Sequence, residues 1–199
     1  QVLKKIPRKI EGITSIETAV VNDGSTDATA QKAGIKNVVI LNHLLNRGAG
    51  AATKTGISYA KKVKADVVVT FDADGQHEHE DIKKILEPII KKEADLVIGS
   101  RFLKKQKVPL DRFILNKGAN ILTLLLFGVS SSDSQSGLRA FSKKAMELID
   151  FRSDRMEFSS EILLEAKRND IKIVEVPTHA IYTDYSKAKG QKNTNALPI

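Results

Sequence analysis

The chain has 199 residues, of which 41% are hydrophobic and 28% charged, with a net charge of +8, a pI near 9.5 and no cysteine. That balance belongs to a folded domain and not to a disordered chain, and it excludes disulfides and thiolate metal sites. The basic excess favours phosphorylated ligands or anionic surfaces; with three Tyr, seven Phe, no Trp and no nucleic-acid-binding motif, nucleic acid is set aside as a partner.

The first segment, Gln1 to Gly12, lacks the apolar core of a signal peptide. Ile16–Val21 reads as a strand ending in the polar turn Asn22-Asp23-Gly24-Ser25, and Asn37–Leu41 as a second strand. Gly50–Val63 has helical spacing, with Ala51, Ala52, Thr55, Ile57 and Ala60 on one face. Asp66–Phe71 is a near-continuous apolar run, predicting a strand in the middle of a sheet covered on both sides. Ile82–Lys92 is predicted helical with a kink or shortening at Pro88, and Asp95–Ile98 is another strand. Phe113–Val129 is a short apolar helix behind a basic stretch in which Arg101, Lys104, Lys105, Lys107, Arg112 and Lys117 outnumber one acid, Asp111. Such a helix either lies in a membrane interface or packs on the sheet as core. Phe141–Ile149 and Glu157–Lys167 read as helices and Ile171–Val176 as a late strand.

Strands alternating with helices predict an α/β domain with a largely parallel sheet. Ligands in such folds bind at the carboxyl ends of strands. Three strand ends carry polar clusters: Asn22-Asp23-Gly24-Ser25-Thr26-Asp27, Asp72-Ala73-Asp74-Gly75-Gln76 and Gly99-Ser100-Arg101. Asp72, Asp74 and the Gln76 carbonyl offer the oxygen ligands that Mg²⁺ takes together with substrate phosphates. The plainer alternative is a turn whose aspartates cap the next helix. Asp23 can accept hydrogen bonds from a base or a ribose, Gly24 permits the tight turn, and Ser25 or Thr26 can cap the next helix.

These three clusters, with Asn46-Arg47-Gly48-Ala49-Gly50-Ala51-Ala52 between the first two, resemble the inverting family 2 glycosyltransferases of GT-A fold. Asp133-Ser134-Gln135-Ser136-Gly137-Leu138-Arg139-Ala140-Phe141, Phe158-Ser159-Ser160-Glu161, Glu175-Val176-Pro177 and Ser186-Lys187 narrow the likeness to the dolichol-phosphate mannose synthase and polyprenyl-phosphate glycosyltransferase branch. The resemblance implies a nucleotide-binding, Rossmann-like, mostly parallel sheet flanked by helices. It implies a nucleoside diphosphate sugar donor (GDP-mannose or a UDP-sugar), a polyprenyl or dolichyl phosphate acceptor, and Mg²⁺ or Mn²⁺.

In this reading Asp72, Asp74 and Gln76 hold the metal, and Asp23 and Asp72 bind the donor. Arg101, Arg112, Asn116, Arg139 and Lys187 serve substrate phosphates, and Asp74, Arg101 and Arg139 are the catalytic group. A lipid phosphate is already anionic, so cations are needed more than a base; Glu161 is expected to serve structure. Two departures stand out: the family's first strand, with its nucleotide-holding end, has no counterpart before Ile16, and its acidic pair is here Asn22-Asp23. Residues 1–199 are read as a single catalytic domain, part of a longer chain, at the cytoplasmic face of the cell membrane. The competing readings are a glycosyltransferase with a glycan or protein hydroxyl acceptor, and a non-catalytic nucleotide-sugar or anionic-lipid binding domain.

Overall fold

The computed structural model describes residues 2–35, 37–104, 106 and 108–181. The elements run α1 (Val2–Lys5), β1 (Thr18–Asp23), α2 (Thr29–Ala33), β2 (Val38–His43), α3 (Ala49–Lys62), β3 (Val67–Thr70), α4 (Asp81–Ile90), β4 (Leu96–Ser100), α5 (Leu110–Phe127), β5 (Arg139–Ser142), α6 (Lys143–Leu148), α7 (Phe158–Arg168) and β6 (Ile173–Pro177). The expected α/β architecture is present. β1 and β2 pair in parallel, and a larger sheet has the order β3-β5-β4-β6. There β4 and β6 are parallel, and β5 runs against both β3 and β4.

The core forms because β4 is apolar on both faces. Leu96 and Ile98 enter one cluster with Met146, Ile162 and Leu163 of α6 and α7. Val97 enters another with Ile82, Ile85 and Leu86 of α4. Pro88 lies inside α4 without ending it. β3, predicted central, is instead an edge strand of the larger sheet among the described residues, with Val67, Val68 and Val69 half-buried. No strand joins β3 to β1 among the described residues; α3 packs on both and bridges them.

The predicted helix over Phe141–Ile149 divides. Arg139–Ser142 is β5, and α6 starts only after Ser142, whose Oγ accepts the Ala145 N–H at 3.1 Å. Its four residues are too few to show a strand rhythm against the helical apolar spacing beyond it.

α5 is inverted. Its inward stripe is Asn116, Asn120 and Thr123, spaced at helical periodicity, with Asn116 and Thr123 only 8% and 2% exposed. Its outward face carries Leu110, Phe113, Ile114, Ile121, Leu122 and Leu125, with Leu125 76% exposed. The helix is therefore not a core element packed on the sheet by an apolar face. No helix among the described residues is long and apolar enough to cross a membrane.

Candidate active site

The strand ends β1, β3 and β4 place their polar clusters as the sequence predicts, but the side chains divide into those open to a ligand and those engaged by the protein. Asp72 follows β3. Its side chain is 60% accessible to solvent and so stands open to a ligand. Burial pushes its pKa up; the contact with His77 Nε2 at 3.5 Å and the positive potential of Arg101 and Arg139 outweigh that and hold it below the ordinary 3.8. Gly137 lies so close to this carboxylate that any Cβ there would collide with it. A side chain at 137 would therefore displace the Asp72 carboxylate.

Asp74 is half-buried and turns back on its own loop: Oδ1 accepts the Gln76 N–H at 2.9 Å and Oδ2 accepts Gln76 Nε2 at 2.7 Å. The backbone carbonyl of Gln76 accepts the Ile181 N–H at 2.8 Å; its second lone pair and the side-chain carbonyl are the oxygens Gln76 offers a cation. An amide flip would turn the side-chain oxygen toward the Asp74 carboxylate, so that a cation could sit between the two. No group of three or more histidines, aspartates or glutamates converges among the described residues. Two carboxylates and one amide oxygen nevertheless fit a hard divalent cation whose remaining ligands are water and diphosphate.

Arg101 ends β4. Its Nε and one terminal nitrogen form a two-pronged pair with Asp133, both at 2.7 Å, and its backbone N–H adds a third bond at 3.0 Å. Asp133 is fully buried, and Asn116 Oδ1 accepts from the same guanidinium at 3.3 Å. Arg112, one turn before Asn116 on α5, is half-buried and makes no side-chain hydrogen bond or ion pair among the described residues.

Two expectations are corrected, and a third residue, Asp23, is found engaged by its own loop. Arg139 is 2% exposed, and its guanidinium donates to the backbone carbonyls of Ser134 (2.7 Å), Ser136 (2.9 Å) and Ser159 (3.1 Å) beneath the Phe158 ring. It cannot touch a phosphate; it holds the 134–136 loop from behind, and burial lowers its pKa to about 10. Asn116 is likewise engaged, between Arg101 and the Arg112 carbonyl at 2.8 Å, and acts under the site. Asp23 accepts the N–H groups of Arg47 (3.0 Å) and Gly48 (2.7 Å) and contacts His43 Nδ1 at 2.7 Å. Burial raises its pKa, but these bonds prevail and lower it below 3.8. It anchors the 46–48 loop, with its side chain 18% accessible. Lys187 lies outside the described residues. Glu161, as expected, serves structure: it accepts the N–H groups of Arg152 and Ser153, each at 2.8 Å.

Sequence reasoning passed over His43, which links Asp23 to Thr55 Oγ1 at 2.9 Å, and His77. It quoted Glu175 within a motif but gave no role to its carboxylate, which gathers the hydroxyls and an N–H of Ser131 and Ser132. The stripe Asn116, Asn120, Thr123 within an apolar helix was a signal available in the sequence, because polar residues at that spacing share one face.

The family model described as Glycosyl transferase family 2 matches residues 3–149. The chain is 44% identical over 187 residues to an uncharacterized protein of Methanocaldococcus jannaschii, covering 92% of this chain and 76% of that one. It is 45% identical over 158 residues to the UDP-N-acetylglucosamine–dolichyl-phosphate N-acetylglucosaminyltransferase of Methanococcus voltae, covering 77% of this chain and 63%, under two thirds, of the relative. Among solved structures it resembles glucosyl-3-phosphoglycerate synthase from Mycobacterium tuberculosis in complex with Mn²⁺, UDP and phosphoglyceric acid. That likeness has a TM-score of 0.67 at 16% identity over 94% of this chain and 67% of that one, and it carries the GT-A fold alone.

Proposed function

The chain belongs to glycosyl transferase family 2, and on that premise we propose that it is the catalytic domain of a hexosyltransferase that moves a sugar from a nucleoside diphosphate to a polyprenyl phosphate, with inversion. The donor side rests on the two carboxylates and the amide that follow β3. Asp72, Asp74 and, after an amide flip, Gln76 would hold Mg²⁺ or Mn²⁺, which when bound neutralises charge on the departing diphosphate. The relative from Methanococcus voltae makes UDP-N-acetylglucosamine the first donor to test.

One observation carries the choice of acceptor: α5 turns its apolar face outward while Arg112, on its first turn, stands beside the Asn116–Arg101 contact. An apolar surface bordering arginines suits a ligand that is lipid at one end and phosphate at the other. It also suits a membrane surface on which the domain rests. The acceptor phosphate is anionic at neutral pH, so its oxygen attacks the anomeric carbon without a base. The new C–O bond forms as the bond to the diphosphate breaks, and the nucleoside diphosphate leaves with the electron pair. Arg101 and Arg112 offset the repulsion between two phosphorylated substrates, and Asp133 keeps Arg101 aimed.

The test is transfer to a short-chain polyprenyl phosphate from UDP-N-acetylglucosamine, UDP-glucose and GDP-mannose in turn, with Mn²⁺ or with EDTA. Metal-dependent glycosylation of the lipid from one donor is the expected result. Donor hydrolysis with the lipid untouched would move the reading to a hydroxyl acceptor. Donor binding without turnover would leave a binding domain.

A further inference from the structure

The segment Ser131–Gly137 is tied down at nearly every residue, although it has no regular structure. Glu175 takes the hydroxyls of Ser131 and Ser132, Arg139 takes the carbonyls of Ser134 and Ser136, and Thr70 Oγ1 donates to the Gly137 carbonyl at 2.9 Å. At its centre is Asp133, the counter-ion of Arg101. The residue that brackets Asp133 comes from α5. Asn120 Nδ2 donates to the Ser132 carbonyl at 2.7 Å, and Asn120 Oδ1 accepts the Ser134 N–H at 2.9 Å. One side-chain amide thus satisfies the peptide groups on both sides of Asp133, as the backbone of a neighbouring strand would.

One helical turn earlier, Asn116 reaches the Arg101 guanidinium itself. The two asparagines therefore grip both members of the Arg101–Asp133 pair from one face of one helix. An apolar residue at 120 would satisfy the helix equally well but would leave a carbonyl and an N–H without partners in a part-buried position.

We infer that Asn120 is a positioning residue: its amide fixes the loop that carries Asp133 and so sets the direction in which Arg101 presents its charge to substrate phosphate. The inference rests on the proposed transfer reaction for its functional meaning; the geometry of the clamp does not. It makes α5 the common mount of an apolar outer surface and of the arginine pair behind it, so that the position of the helix and the aim of Arg101 are one mechanical variable.

The test uses the full chain with ¹⁵N-labelled arginine. The Arg101 Nε–H resonance is identified by its loss in Arg101→Lys. Asn120→Asp, nearly the same size, keeps an acceptor for Ser134 N–H but loses the donor to Ser132; Asn120→Ala loses both. Thr123→Val is the control, because it removes the bond of Thr123 Oγ1 to Ser160 Oγ (2.9 Å) from the same buried face without touching residues 132–134. The Arg101 signal is expected to shift in both Asn120 variants and to stay in place in Thr123→Val. The catalytic efficiency toward the lipid phosphate is expected to fall about tenfold or more in the Asn120 variants, with donor affinity held within about twofold. An unmoved Arg101 signal in Asn120→Asp, or an equal shift in Thr123→Val, would overturn the inference. Should the wild-type chain transfer no sugar at all, the transfer reading fails, while the resonance still decides the clamp.

Discussion

The β1–β2 layer and the four-stranded sheet are built from equally apolar strands, and they are held by different forces. In β4 every residue from Leu96 to Ser100 is buried, with α4 on one face and α6 and α7 on the other. In β1 the sole buried residue is Asn22, and in β2 none is buried. What orders that layer is polar: Asn22 Nδ2 bonds Asn42 Oδ1 at 2.9 Å, and Asp23 gathers His43 and the Arg47 and Gly48 amides. A strand run such as Val-Val-Ile-Leu confers stability only when layers close on both its faces, because the favourable term is area removed from water. The larger sheet is thus the rigid mount for Asp72 and Arg101, and the smaller layer is adjusted by hydrogen bonds.

The widest separation between the two regions is expected from truncating a core residue in each. Leu96→Ala should cost about 3–4 kcal/mol by urea denaturation, and Val20→Ala about 1 kcal/mol or less. Equal costs would break the comparison. Next in size, Asp23→Asn weakens the charge-assisted bonds to the 46–48 loop, a loss of about 1–2 kcal/mol. Amide exchange should quicken at Arg47 and Gly48 while the β4 amides keep their protection.

A smaller effect lies at the joint between the regions. There Glu161 holds the amides of Arg152 and Ser153, and Asp154 offers its carbonyl to Ala51 N–H of α3 at 3.0 Å. Gly50 has no side chain because the Ser153 carbonyl occupies that space. Burial raises the Glu161 pKa, but the hydrogen bonds from Ser153 and Arg152 outweigh it, so the folded value lies below the usual 4.5. Its stabilisation is therefore complete above pH 4.5 and is lost as the pH falls through the folded pKa. Glu161→Gln should flatten that part of the stability profile, and an unchanged profile would remove Glu161 from the joint. The least effect is expected from Arg47→Ala: its ion pair with Asp154 at 3.0 Å is exposed on both sides and is worth at most about 0.5 kcal/mol. A larger loss in melting experiments would show that the polar layer depends on its rim as well.

Most elements were legible because they are written in local periodicity: the apolar runs of β1 to β4, the spacing of α3 and α4, and the polar residues stationed at three strand ends. β5 was not, since four residues running straight into α6 offer too little alternation to read. Within the site, the sequence by itself determined which chemical groups lie at the strand ends: two carboxylates and an amide after β3, and an arginine after β4. Only the tertiary structure decided how each is used. Arg101 and Arg139 look alike in a list of cations. Yet Arg101 meets Asp133 at the rim, 32 positions along the chain, whereas Arg139 is sealed among three backbone carbonyls, one of them 20 positions away. The direction of α5 was open for the same reason. A helix with one polar and one apolar face states its two faces locally, but which of them turns inward depends on whether distant residues offer apolar surface or, as Arg101, Ser132, Ser134 and Ser160 do here, hydrogen-bond partners that burial obliges it to meet.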